Sequence, residues 1–435
     1  MRISLPIRTV IVTAILAALA TGCPRSESPE IRRTPRKAEP EKPAMGATDK
    51  DDSAATNEPS AETSEPEIAR PLDPIPVDTV DVVIGEGHWP ERTVRVSVGG
   101  RYRVTSGDRR WSGAGLNAPV RWVPDPNDPD RYYIVVGRRT VATQPGHEVT
   151  IDPLRDGDLA VDGRRYRGAA VFRTVSAGRG VSIDRLPLED YVAGVVGSEM
   201  PGGFGLEALK AQAVAVRSYT VYRIAETGGP LYAWHTVDQA YKGLAAERAD
   251  VRRAVAATRG EVLTWNGKWF KAFYHSTCGG RTRPAEAVFP VAPIRPLSGA
   301  VCRWCRHAPR YRARSKLTRA DLQRVLAGRK IRGAVVTGVS ASGGTVTLAL
   351  RKDGRETSVT LPADAFRMAV GPGRLYSPRI DEVIPVERGW VFRTRGFGHG
   401  VGLCQYGADG QSRAGRGYRE ILGNYYPGAV VERME

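Results

Sequence analysis

Pro201, Gly202 and Gly203 split two apolar runs and so dictate helix, break, helix between Leu186 and Arg223. Leu188, Tyr191, Val192, Val195 and Val196 recur at helical spacing after Pro187, a residue suited to a first helical position. Gly197 ends that run, and Pro201 disfavours helix at Met200, so Ser198 to Gly203 reads as a loop carrying Glu199. A second helix is expected from about Leu206 to Glu226, stopping before Gly228 and Gly229. Leu206, Leu209, Ala213, Val216, Thr220 and Ile224 would form its buried stripe. At about 100° per residue Arg217 falls inside that stripe. A buried charge needs a partner, and a carboxylate in the adjoining loop is a natural one.

Three motifs stand in order along the chain: "LPLEDYVAGVVGSEMPGGFGLEALKAQAVAVR" from Leu186 to Arg217, "YHSTCGG" from Tyr274 to Gly280, and "RGFGHGVGLCQYGA" from Arg395 to Ala408. Together they resemble the stage II sporulation protein D / LytB family, over roughly Val94 to Val431 and including "YRG" at Tyr166 to Gly168. The resemblance implies an exported protein directed at peptidoglycan glycan strands. Its best-described activity is lytic transglycosylase action, with the glutamate of "SEMP", here Glu199, as catalytic acid and base. LytB-type members are instead described as amidase enhancers, which bind the wall and stimulate another hydrolase. The family has a similar Asp-Gln-x-Tyr stretch near its cleft, which makes Asp238, Gln239 and Tyr241 candidate substrate-binding residues. Arg217, Tyr274, Ser276, Thr277, Gly279, Gly280, His399 and Gln405 join them from the three motifs. Some members hold zinc near the Asp-Gln-x-Tyr stretch with His and Cys; this chain has His235 there and no cysteine.

The first 23 residues read as a targeting segment. Arg2 and Arg8 flank an apolar run from Val10 to Ala20 that is too short to span a membrane. Ala20, Thr21 and Gly22 precede Cys23, which resembles a lipoprotein signal whose cysteine is acylated, although Ala20 stands where leucine is usual. The plain alternative is a cleaved signal with an incidental cysteine. Pro24 to Asp78 is rich in Pro, Glu, Ser, Ala and Thr and reads as a disordered tether from a membrane toward the wall. It holds 8 Lys+Arg against 13 Asp+Glu, a net of −5. The signal adds +2, so the total of +17 leaves +20 on residues 79–435. Such a body suits an anionic partner, and nucleic acid is the weak choice because the chain is exported and carries no nucleic-acid motif.

The fold class expected is α+β. Residues 79–184 alternate apolar and polar positions between turn glycines, as in "TVRVSVGGRYRVTS", and read as a mostly antiparallel β module. Residues 185–435 form a mixed helix and strand core, with a short helix at Ala249 to Ala257 and a variable insert at about 317–373. Glycines 279 and 280 either bring backbone close to a ligand or make a tight turn. Gly396, Gly398, Gly400 and Gly402 flank His399, which reads as a structural histidine or, from the resemblance, a cleft residue.

With Cys23 acylated, four cysteines remain: Cys278, Cys302, Cys305 and Cys404. In an exported chain an even set most simply means disulfides, with three pairings open. A bridge between Cys278 and Cys404 would brace two family motifs. A tetrahedral zinc site using all four is chemically open as well, although Cys302 and Cys305 are the single C-x-x-C knuckle.

For Glu199 to donate a proton near neutral pH, its pKa must rise from about 4.3 to roughly 6. Apolar neighbours and the end of the preceding helix push that way. Direct pairing with Arg217 would oppose both.

Overall fold

A computed structural model describes residues 70–88, 93–125, 127–143, 147–155, 157–176 and 179–434. The targeting segment, Cys23 and most of the acidic tether lie outside these residues. The end of the tether does not: Leu72 and Trp269 exchange two backbone hydrogen bonds of 2.8 Å. Tyr222 donates to the Arg70 carbonyl at 3.0 Å, and Leu188 N–H reaches Asp78. Residues 70–78 therefore belong to the folded body, because apolar Leu72 and free backbone groups find partners there.

The β expectation holds. One eleven-stranded sheet is built almost wholly from residues 79–187. Its path runs Leu231–Tyr232, Thr79–His88, Arg179–Pro187, Ala169–Ser176, Glu148–Pro153, Val94–Ser106, Arg109–Asp125, Asp128–Val136, Arg139–Thr143. Two short strands, Leu159–Val161 and Arg164–Tyr166, branch from Val94–Ser106. All pairs are antiparallel except Val82–Val83 with Leu231–Tyr232. Val94, Val96 and Val98 point inward in alternation, which pins the register.

The helical core is α1 (Leu188–Glu199), α2 (Leu206–Thr227) and α3 (Ala249–Ala257). Pro187 is the N-cap of α1 and not its first turn. Helix α1 also continues past Gly197, so Glu199 is its last residue and not a loop residue. Pro201 acts where expected, since Met200 is extended and caps the helix through Val196. Gly228 ends α2 in the left-handed conformation.

The single stripe expected on α2 is not what forms. Nearly every residue from Ala208 to Tyr222 is buried, whereas Leu206 is 39% exposed. An all-round small and apolar surface lets α2 run through the middle of the body. There it meets α1, α3, the strand Glu261–Trp265, and two later helices. Its buried hydroxyls are spent locally: Ser218 bonds the Val214 carbonyl and Thr220 the Val216 carbonyl. One continuous apolar cluster joins the sheet to these helices.

A second apolar cluster, with Leu317, Leu326, Leu348, Phe366 and Phe392, builds the insert. It spans more than expected, from Arg312 to Arg395. Strands Arg312–Leu317, Gly389–Arg395 and Ile380–Val386 form one sheet, and Ala334–Ser342, Thr345–Lys352 and Arg355–Pro362 a meander. Helices α4 (Arg319–Gly328) and α5 (Ala363–Val370) cover them, α4 starting on a Thr318–Asp321 capping box. The chain closes with α6 (Gln405–Arg413), α7 (Tyr418–Tyr425) and the strand Val430–Arg433. Among the described residues no helix is long and apolar enough to cross a membrane.

Candidate functional site

Glu199 stands half-buried at the C-terminal end of α1. The segment 239–248 clamps that end. Ala240 N–H donates to Glu199 Oε1 at 3.0 Å, and Lys242 N–H to Ser198 Oγ at 3.1 Å. Arg248 reaches the Met200 carbonyl at 3.2 Å. Gly197 is needed for this fit, since a Cβ there would lie 2.0 Å from the Ala246 carbonyl oxygen. The Gln405 amide, at the start of α6, faces the same carboxylate. It lies near enough to favour the charged form, yet its Nε2 is left without a hydrogen-bond partner.

Burial among apolar side chains raises the Glu199 pKa above the ordinary carboxylate value. The hydrogen bond from Ala240, the Gln405 amide and the charges of His235 and Lys242 pull it down without overcoming burial. Arg217 is not among these influences. It is fully buried and forks onto Glu189, with Nε–Oε1 2.9 Å and Nη2–Oε2 2.7 Å, while Nη1 bonds the Glu261 carbonyl at 2.8 Å. The partner expected in the loop is thus Glu189, in the first turn of α1.

The Asp-Gln-x-Tyr stretch shapes the clamp from within. Asp238 pairs with Arg223 at 2.7 Å and accepts from Tyr232 N–H at 2.9 Å. Gln239 is buried, donates to Thr220 at 2.8 Å, and accepts from the Tyr274 hydroxyl at 2.8 Å. Tyr241 donates to Asp184 at 2.7 Å and packs over Gly194, where a Cβ would stand 2.4 Å from its ring. The side chains of Asp238, Gln239 and Tyr241 are thus engaged with the protein, and the backbone of Ala240 between them reaches Glu199.

The two glycine-rich motifs pair with each other. Tyr274–His275 runs parallel to Leu403–Cys404, and Thr277 bridges Phe397. Burial, with the nearby Glu199 charge, raises the Tyr274 pKa well above its ordinary value, and Tyr406 N–H holds the Ser276 carbonyl at 3.1 Å. Ser276 Oγ meets Thr277 Oγ1 at 3.3 Å, and Thr277 is buried. Gly279 has φ +70° and abuts Arg395 and Gly396, while Gly280 has φ +116°. These glycines make a tight turn against neighbouring chain. His399 spends both ring nitrogens on backbone: Nε2 meets the Tyr274 carbonyl at 2.8 Å and Nδ1 the Val401 N–H at 3.1 Å. Burial among Phe273, Phe289 and His275 holds its pKa well below the ordinary value. His399 is therefore a neutral tie between the two motifs, bonded to the Tyr274 carbonyl.

Cys278, Cys302, Cys305 and Cys404 are buried thiols whose sulfurs lie within 4.8 Å of one another. Cys404 directly precedes Gln405, and its sulfur lies 3.8 Å from the Ser276 carbonyl. Two cavities, of about 630 and 270 Å³, are lined by insert residues such as Arg312 and Asp381, and by Arg283; neither is lined by Glu199.

A family model described as Stage II sporulation protein matches residues 176–265, the stretch that holds α1, α2 and the clamp. The stage II sporulation protein D of Bacillus subtilis is 32% identical over 288 residues, covering 61% of this chain and 79% of that protein. The chain belongs to the stage II sporulation protein D family. An uncharacterized protein of Brachyspira hyodysenteriae is also 32% identical, over 64% of this chain and 74% of its own length. The amidase enhancer of Bacillus subtilis is 26% identical over 63% of this chain but 45% of its own length.

Within this family member, sequence reasoning passed over Asp184. Burial lifts its pKa from 3.8 to about 7, against hydrogen bonds from Tyr241 and Gly168 N–H. Asp184 lies on the face opposite Val181 and Ile183, so alternation gave no signal for it; both faces of this strand are buried.

Proposed function

We propose that this chain remodels the cell wall by cleaving peptidoglycan glycan strands as a lytic transglycosylase, with Glu199 as its acid and base. The observation that carries this reading is one half-buried carboxyl with a raised pKa, where the three motifs meet. A hydrolysing glycosidase ordinarily needs two carboxylates. Here the substrate supplies the second group. Glu199 protonates the glycosidic oxygen that links C1 of N-acetylmuramic acid to N-acetylglucosamine, and that bond breaks. The muramic C6 hydroxyl then attacks C1 and gives its proton to Glu199. The products are a free N-acetylglucosamine end and a 1,6-anhydromuramic end, no water is consumed, and Glu199 regains its proton. The helix C-terminus and apolar packing favour the protonated starting state, and the Ala240 N–H stabilises the carboxylate formed midway.

The relatives named stage II sporulation protein D support a role in the wall of an exported protein. In this reading Cys23 carries a lipid and the acidic tether lets the basic body reach the wall. The similarity to a protein named amidase enhancer favours a second reading, in which the chain binds wall and stimulates an amidase without cutting. Product analysis separates them. Purified glycan strands treated with the chain alone should yield 1,6-anhydro ends, detected by mass spectrometry. Glu199→Gln should lower that yield by about 10²–10⁴-fold with the fold intact. Equal yields from both proteins would exclude Glu199. No cleavage by wild type, with stimulation of an added amidase, would establish the second reading.

A further inference from the structure

We propose that Cys278, Cys302, Cys305 and Cys404 bind one zinc ion as a tetrahedral tetrathiolate that braces the segments bearing Ser276 and Gln405. The inference goes beyond the glycan-cleaving reading and does not depend on it. The four sulfurs come from three separated segments and converge in a buried cluster. A tetrahedron with zinc–sulfur bonds of about 2.3 Å places its sulfurs about 3.8 Å apart. Cys278 Sγ and Cys305 Sγ stand 3.6 Å apart, and all four lie within 4.8 Å of one another. Disulfides would satisfy these sulfurs in two separate pairs, whereas the chain surrounds them as a single group.

The surroundings are those of thiolate ligands. Backbone N–H groups point at sulfur, Cys278 N to Cys404 Sγ at 3.2 Å and Gly280 N to Cys278 Sγ at 3.4 Å. The Tyr425 hydroxyl lies 3.1 Å from Cys302 Sγ. Such outer contacts orient metal ligands and spread their charge. The Gly279–Gly280 turn bends the N–H of Gly280 back onto the sulfur, and Cys302 and Cys305 supply a C-x-x-C knuckle. Gly407 keeps room for the cluster: a Cβ there would lie 2.6 Å from Cys302 Sγ. Arg379 bonds the Cys278 carbonyl at 2.8 Å and brings a positive charge beside a centre of net charge −2. An all-sulfur tetrahedral set favours zinc among divalent ions.

The consequence is positional. Cys404 immediately precedes Gln405, which faces Glu199, and Cys278 ends the Tyr274–Thr277 stretch. A zinc ion would lock both segments to the 302–305 loop.

The test uses the full chain, produced with zinc supplied, and measures metal by mass spectrometry beside peptide mapping of alkylated thiols. About one zinc per chain is expected, with the four cysteines alkylated only after denaturation in chelator. Cobalt loaded in place of zinc should give the intense visible bands of a tetrahedral thiolate site. The double variant Cys302→Ser, Cys305→Ser should lose the metal, whereas Glu199→Gln should keep it in full. Mapping that finds the four cysteines joined as disulfides would overturn the proposal. So would free thiols with metal content far below one ion, or iron in place of zinc. The wild-type cobalt spectrum decides even if the double variant does not fold, and a metal-free chain that still cuts glycan would leave the functional reading standing.

Discussion

Arg217 on α2 forks onto Glu189 at the start of α1, ten residues before Glu199 at the other end of that helix, and neither hydrogen bond of the fork reaches Glu199. The guanidinium spends its Nε, Nη1 and Nη2 atoms on Glu189 and the Glu261 carbonyl, so burial is left to set the state of Glu199. Arg217→Met should therefore act on stability. It leaves the part-buried Glu189 carboxylate without its guanidinium partner, a loss of about 3–5 kcal/mol. Urea unfolding should show a large fall in midpoint. An unchanged midpoint with a weaker KM for glycan would return Arg217 to the substrate.

The alkaline limb of activity should follow the Glu199 proton. Glu199 acts first as an acid, so activity is full below its raised pKa and falls as pH rises through it. The Gln405 amide lowers that pKa, so Gln405→Leu removes a stabiliser of the charged form. The limb of kcat against pH should then move to higher pH. A limb that stays in place, or moves down, would separate Gln405 from the proton donor.

Gly197→Ala tests the clamp. The new Cβ would meet the Ala246 carbonyl oxygen at 2.0 Å, and backbone on both sides resists. Overpacking of this kind costs about 1–3 kcal/mol. The end of α1 must shift, and a displacement near 1 Å at a reacting group lowers rate by about 10²-fold. Gly202→Ala, with nothing within 4 Å of its Cβ, should change neither Tm nor rate.

Two buried groups should pull stability in opposite directions across mildly acidic pH. The Asp184 pKa lies at about 7 in the fold against 3.8 ordinarily. The native state thus holds the extra proton in that window, and stability drops as pH rises through it. The full window corresponds to roughly 4 kcal/mol, at about 1.4 kcal/mol per unit. His275 is opposite: burial lowers its pKa from 6.5 to about 4. Its contribution is whole above 6.5 and is lost as pH falls toward 4. The two windows overlap, so their opposing slopes largely cancel from about pH 4 to 6.5, and chemical denaturation should show the net fall only above that, toward about pH 7. Asp184→Asn should remove the fall and leave stability rising from about pH 4 to 6.5 through His275; an unaltered profile would mean that Asp184 titrates normally.

Local pattern was a good guide where neighbours in sequence supply the physics. The C-terminal end of α2 follows from its glycines within a turn, and the strands of residues 79–187 follow from alternation. It was a poor guide to exposure and partners. The α2 stripe looked one-sided because a lone helix shows no sign of the several elements that cover it. His399 looked presented by its glycines, yet those glycines bring backbone close enough to take both ring nitrogens.

From the order of its residues alone, this chain was bound to break helix between Gly197 and Gly203, since apolar spacing and proline sterics act over a few bonds; that Glu199 is still helical was not legible there. The state of that carboxyl was decided elsewhere. Which charge Arg217 meets, which N–H Ala240 offers, and how four distant cysteines gather depend on contacts between segments tens to more than a hundred residues apart. Such contacts arise from packing in three dimensions, where burial and distance govern charge and sequence separation no longer does.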